Sequence, residues 1–234
     1  GAQPIGCLRR PPAPGEATHV EGVYTGAAIL EVIDAARGAV RIVTVAPELE
    51  HGLVLVDTLV AHGHRVSVGH SGATYEQGLE AFARGARHAT HLFNRMPPLA
   101  HRTPGLAGAV LRRDDVTAEI VCDGVHVHPA MIRVAARAKG ADAILAITDG
   151  TAGSGLDIGA LVRLGDRPIR VTNRGALLDD GTLAGSVATM DAAFRLLIGD
   201  VGLDVPTAAR LCATSPARAL GLGGVGTLEP GQVA

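Results

Sequence analysis

Short runs of aliphatic and β-branched residues recur along the chain, and between them apolar positions fall at helical spacing. The runs cover residues 40–45, 65–69, 88–91, 117–122 and 143–148. Runs of this length and composition predict buried strands. Residues 51–62 predict a helix stopped by Gly63. Thr74 can cap a second helix that runs to Arg84 before Gly85, and residues 129–139 predict a third ahead of Gly140. A Pro- and Gly-rich loop over residues 1–15 and a helical stretch near 25–37 come first. Strand–helix alternation of this kind predicts an α/β fold whose parallel sheet is closed into a barrel or doubly wound.

The pattern changes after Asp149. Residues 161–171 and 176–183 mix apolar positions with Gly, Asn and Asp, and predict hairpin strands. Helical spacing returns over 187–198 and 206–213. No internal repeat and no clear linker interrupts the chain, so residues 1–234 read as one domain.

Composition narrows the partners. Apolar residues make up 47% of the chain, but aromatics only 2%, so Ala, Val, Leu and Ile must build the core. A net charge of −2 with no basic, aromatic-laced stripe argues against nucleic-acid binding. No apolar run is long enough for a membrane span or a signal peptide. Cys7, Cys122 and Cys212 are few, odd in number and far apart. They predict neither a disulfide framework nor a thiolate metal site, and make a reducing cytoplasm the expected compartment. The chain opens at Gly1-Ala2-Gln3-Pro4 without Met and stops at Val233-Ala234 where a strand pattern starts, which reads as a fragment lacking both ends.

Three polar residues close apolar runs: His70, His91 and Asp149. Polar residues at the ends of parallel strands are where α/β barrels carry catalytic groups. His70 and His91 lie about one βα unit apart, which would put both rings at the same end of neighbouring strands. Two readings stand for them: ligands of one metal, or histidines satisfied at strand ends. Asp149 also has two. It can move a proton for a metal-activated water, since a buried carboxylate needs a partner, or it can cap a helix starting at Gly150-Thr151. In Asp123-Gly124-Val125-His126-Val127-His128, His126 can face the same mouth and His128 stands before a helix. Asn94, Arg95 and Arg102 offer amide and guanidinium donors suited to a phosphate or carboxylate, although a surface Arg is usually only solvated. The turn Leu183-Ala184-Gly185-Ser186 either lets backbone approach a ligand or is structural.

At these residues the chain resembles the N-acetylglucosamine-6-phosphate deacetylase family of the amidohydrolase superfamily. The matching segments are Val43-Thr44-Val45-Ala46-Pro47-Glu48, Gly69-His70-Ser71-Gly72-Ala73-Thr74, Ala89-Thr90-His91-Leu92-Phe93-Asn94, Pro104-Gly105-Leu106-Ala107-Gly108, Asp123-Gly124-Val125-His126, Thr148-Asp149, Gly181-Thr182-Leu183-Ala184-Gly185-Ser186 and Ser215-Pro216-Ala217-Arg218-Ala219. They follow the family's order and cover nearly the whole chain. The resemblance implies a metal-dependent (β/α)8 TIM-type barrel, here lacking its N-terminal strands. It implies His70 and His91 as ligands of one divalent metal, Zn or Fe, and Asp149 as the catalytic general base and acid. His126 matches a substrate-contacting histidine, Asn94 and the Arg95 amide match groups around the sugar phosphate, and Leu183 and Ala184 line the acetamido end. Arg102 matches an arginine that reaches the phosphate in a neighbouring subunit, which implies a homodimer.

The implied reaction belongs to amino-sugar metabolism: hydrolysis of the N-acetyl group of N-acetylglucosamine 6-phosphate to glucosamine 6-phosphate and acetate. Three positions depart from the family. Its metal-binding Glu is expected upstream of Gly1; Glu21 follows a His but stands too close to Glu48 to replace it. Gln3 stands where the family has a substrate-binding His, and Arg95 replaces a small residue. With that ligand and the first strands upstream, the stretch alone is expected to be inactive. The alternatives are an amidohydrolase acting on another amide or a cyclic ureide, and a non-catalytic remnant that binds sugar phosphate.

Overall fold

The computed structural model describes residues 26–36 and 38–233. They fall into two compact units, one made from residues 26–90 with Arg95–Ala109 and the other from His91–Asn94 with residues 110–233. Gln3, Cys7 and Glu21 lie outside the described residues.

In the first unit, α1 (Gly26–Ala35) leads into β1 (Ile42–Val45), α2 (Gly52–Ala61), β2 (Arg65–Val68), α3 (Tyr75–Ala83) and β3 (His88–Ala89). The strands are parallel, β1 beside β2 with Val43 opposite Val66, and β2 beside β3 with Val68 opposite Ala89. Val66, Ser67 and Val68 are all buried, as expected of a strand covered on both faces. α3 starts with a capping box: Thr74 Oγ1 accepts from the Gln77 amide at 3.2 Å, and Gln77 Oε1 accepts from the Thr74 amide at 2.9 Å.

The helix α4 (Gly105–Arg112) has no counterpart in the sequence reading. Its run Gly-Leu-Ala-Gly-Ala-Val looks like turn composition, yet Leu106, Ala107 and Ala109 are fully buried. The small residues serve close packing: a Cβ on Gly78 of α3 would come within 2.9 Å of both Ala109 Cβ and Leu106 Cδ1.

In the second unit, β4 (Thr117–Val121) and β5 (Ile144–Ile147) are parallel, with Ile120 opposite Ala146, and are joined by α5 (Pro129–Lys139). His128 caps α5, its Nδ1 accepting from the Ala130 amide at 3.2 Å. Lys139 Nζ donates to the carbonyls of Val110 (3.1 Å) and Arg113, which closes the C-terminal end of α4. An antiparallel sheet follows, β6 (Leu161–Leu164), β7 (Arg167–Thr172), β8 (Gly175–Leu177) and β9 (Leu183–Gly185). The stretch expected as strand over 176–183 is broken: residues 178–182 form a turn in which Leu178 and Thr182 are bonded at 2.9 Å and Gly181 has φ 79°.

α6 (Met190–Gly199) and α7 (Val205–Ala209) come next. The expected helix over 206–213 divides into α7, a π-helical turn at Arg210–Thr214 and α8 (Ser215–Ala219). Among the described residues, no helix is long and apolar enough to cross a membrane.

Candidate active site

Strand ends position the polar residues. β2 ends at Val68, β3 at Ala89 and β5 at Ile147, so His70, His91 and Asp149 each stand two residues beyond a parallel strand. All three have left-handed backbone, with φ of 48°, 31° and 49°. Among the described residues, six non-glycine residues have positive φ: His51, His70, His91, Phe93, Arg95 and Asp149. Four of them are residues singled out above for chemistry. Left-handed backbone costs free energy for a residue with a Cβ, and such strain concentrates where a side chain must be aimed.

In the first unit, His70 is half-buried and its neighbours are pinned. The Gly69 amide donates to the Val45 carbonyl at 3.3 Å. A Cβ at Gly69 would meet Thr90 Cβ at 2.7 Å, so only glycine fits before this histidine. On the other side, the Ser71 hydroxyl donates to Glu48 Oε2 at 2.6 Å and the Gly72 amide donates to Glu48 Oε1 at 2.5 Å. Glu48, just past β1, thus grips the two residues after His70. Its signal in the sequence was Ala-Pro-Glu directly after a strand, and no role was read from it. Hydroxyls tie the three strands together: Thr90 Oγ1 lies 2.9 Å from Thr44 Oγ1 and 2.6 Å from Ser67 Oγ. Arg95 is exposed, and its carbonyl accepts from the Ser71 amide at 3.0 Å. Arg102 is exposed, and its guanidinium donates to His101 Nε2 at 2.8 Å.

In the second unit, His91 is only 4% exposed. Its amide donates to Glu119 Oε2 at 3.3 Å, and the Leu92 amide to the Glu119 carbonyl at 2.8 Å. Glu119 of β4 was not singled out in the sequence; it holds the backbone that carries His91. Asn94 folds back on this turn, its amide donating to the His91 carbonyl at 2.9 Å.

Asp123 stands two residues past β4. Its Oδ1 accepts from the amides of Val125 and His126, both at 2.9 Å, and its Oδ2 lies 2.6 Å from His126 Nδ1. Burial works against its ionised form, but the bonds from the His126 ring and the two amides outweigh that and pull its pKa down to about 2. The His126 pKa is raised, first by its bond to Asp123 against the opposing effect of burial, then by the charges of Asp123 and Asp149.

The structure corrects two expectations at Asp149. The residue is exposed, so the cost of burying a carboxylate does not apply to it. No helix starts at Gly150: the next one, α6, is preceded by Thr189, and the capping reading falls away. Instead the Asp149 carbonyl accepts from the Ser186 amide at 3.3 Å, and the Thr151 amide donates to the Ser186 carbonyl at 2.9 Å. These bonds lay the turn after β9 beside Asp149. Leu183 is exposed and Ala184 half-buried in that strand. Gly185 has φ 152°, and a Cβ there would strike Thr151 Cγ2 at 2.7 Å.

The donor chemistry fits a divalent metal, because imidazole binds Zn and Fe well. Among the described residues, however, no three His, Cys, Asp or Glu side chains are grouped as a metal site. His70 and His91 are therefore candidates for part of a ligand set.

Comparison with known proteins follows the same line. The chain is 44% identical over 156 residues to an N-acetylglucosamine-6-phosphate deacetylase from Lysinibacillus sphaericus, covering 67% of this chain and 40% of that protein. It is 34% identical over 203 residues to an N-acetylgalactosamine-6-phosphate deacetylase from Escherichia coli O157:H7, covering 86% and 53%. It thus spans about half the length of the curated relatives it matches. A solved Asp-to-Ala mutant of the Mycobacterium smegmatis N-acetyl-D-glucosamine-6-phosphate deacetylase, in complex with N-acetyl-D-glucosamine-6-phosphate, superimposes with a TM-score of 0.84 at 39% identity, covering 90% of this chain and 56% of that one. The α/β class of the chain is that of the amidohydrolase barrels, which are generally metal-dependent. Residues 56–234 match the sequence pattern of the amidohydrolase family. The chain belongs to the amidohydrolase family.

Proposed function

We propose that the protein to which this chain belongs hydrolyses the N-acetyl group of N-acetylglucosamine 6-phosphate, giving glucosamine 6-phosphate and acetate. The observation that carries this reading is the shared placement of His70, His91 and Asp149, two residues past parallel strands and all in left-handed backbone. The names of the relatives point to phosphorylated N-acetylhexosamines as the substrate class.

His70 and His91 are each assigned as a ligand of one divalent metal, Zn or Fe. Such a metal supplies, when bound, a water that ionises near neutral pH and positive charge at the acyl oxygen. Asp149, exposed and held by its backbone to the Ser186 turn, takes the proton of the attacking water and returns it to the departing amine. His126 donates a hydrogen bond to the acyl oxygen as charge develops there. Asn94 and the Arg95 amide hold the sugar phosphate. Leu183 and Ala184, beside Asp149 through the Ser186 turn, bound the acetamido methyl. The exposed Arg102 reaches the phosphate bound by a second copy, which makes the protein a homodimer. The thiols of Cys122 and Cys212 are free, which suits a reducing cytoplasm.

Acetate release by the full-length protein decides the reading. We expect turnover of N-acetylglucosamine 6-phosphate to exceed that of unphosphorylated N-acetylglucosamine by about 100-fold, the scale of a lost charged contact. Faster turnover of N-acetylgalactosamine 6-phosphate would reassign the sugar. Hydrolysis of a cyclic ureide with no acetate release, or sugar-phosphate binding without turnover, would overturn it.

A further inference from the structure

Asp123 is a strand-end carboxylate to which the reaction above gives no task. Its Oδ1 is committed to two amides of its own turn, and its Oδ2 meets His126 Nδ1 at 2.6 Å. The carboxylate is 5% exposed and the His126 ring 11% exposed, so solvent screens this pair little. The contact fixes the direction of the ring, because Nδ1 faces Asp123 and only Nε2 is left for a ligand.

We propose that Asp123 is a positioning residue that holds His126 by Nδ1, so that the ring presents Nε2–H as a hydrogen-bond donor to an oxygen of the substrate. The charged groups acting on the ring are Asp123 in its own turn and Asp149 beyond β5. Both are carboxylates, and both favour the imidazolium form. From α6, Leu196 comes against this turn: a Cβ on Gly124 would meet its Cδ1 at 2.9 Å. With Nδ1 turned to the Asp123 carboxylate, only Nε2 faces outward, and in the protonated ring it is a donor. It suits an acyl or phosphate oxygen. This inference rests on the deacetylase reading for the identity of that oxygen, but not for the state of the ring.

Asp123→Asn separates the two in the full-length protein. Asn keeps an oxygen for the Val125 and His126 amides, so the turn survives, while an NH2 group replaces the acceptor that faces Nδ1. Titration of the His126 ring by NMR should give a midpoint above 6.5 in the unaltered protein. The variant midpoint should fall by about 1 pH unit or more, as expected on removing a neutralising partner. The sign follows from the tautomer: with Asp123 holding Nδ1–H, the Nε2 proton is lost above the ring's pKa, so kcat/KM of the unaltered protein should fall as pH rises through the midpoint, whereas an NH2 group donating to Nδ1 leaves the proton of the neutral ring on Nε2, so the variant should lose this basic limb.

An unchanged His126 midpoint would overturn the role of Asp123. A shifted midpoint with the basic limb retained would overturn the donation by Nε2–H. If the unaltered protein released no acetate, the deacetylase reading would fall, and the ring titration would still decide what Asp123 does.

Discussion

The parallel strands and the antiparallel sheet use β structure in opposite ways. In β2 and β5 three of four residues are buried, and the side chains on both faces are packed. β6 is mostly exposed, and β7 alternates, with Ile169 and Val171 buried while Pro168 and Arg170 face water. A strand packed on both faces holds its end rigidly, and rigid ends can carry His70, His91 and Asp149 in a costly left-handed conformation. The antiparallel sheet bears none of that strain. It contributes through β9 alone, whose following turn is bonded to the backbone around Asp149. The lesson is that the ends of the parallel strands hold the strained residues, while the antiparallel sheet lends a turn bonded to the backbone beside one of them.

This contrast can be broken by substitution. Ile144→Ala in β5 removes a fully buried side chain and should cost about 2–5 kcal/mol in urea unfolding, since cavity and transfer terms add. Glu48→Ala releases the Ser71 hydroxyl and the Gly72 amide behind His70. We expect metal affinity, measured against a competing chelator, to fall by about 10-fold or more while the fold persists. Leu161→Ala in β6 truncates a side chain that is 62% exposed, and should change stability by about 0.5 kcal/mol or less. Equal costs at Ile144 and Leu161 would remove the distinction between the two kinds of sheet.

Much of the fold was legible in the sequence because the buried strands are nearly unbroken aliphatic runs. Four of the five predicted parallel strands ran one or two residues too long at their C-terminal ends. His91, for example, continues the composition of β3 but turns left-handed, and composition does not record a change in φ. α4 was hidden because its glycines and alanines exist for close packing, which has no local signature. The π-helical turn at Arg210–Thr214 lies inside a pattern that reads as plain helix. In the site, His70, His91 and Asp149 were visible as polar residues after apolar runs. Glu48 and Glu119 were not, because each acts on a loop beyond another strand, and the bonds of Asp123 depend on how its own turn folds back. The cost of burial inferred for Asp149 failed for a related reason: Ile147 and Thr148 lead out of the core, and Asp149 is already exposed.

The central claim is that Asp149 moves the proton at a site whose metal is held by other residues. Acetate release and metal content, measured together on full-length Asp149→Asn, test it most directly. Asn keeps the size of the side chain and loses its basicity. The account predicts turnover reduced about 100-fold or more with metal content unchanged, the scale of losing a general base. Turnover equal to that of the unaltered protein would contradict it.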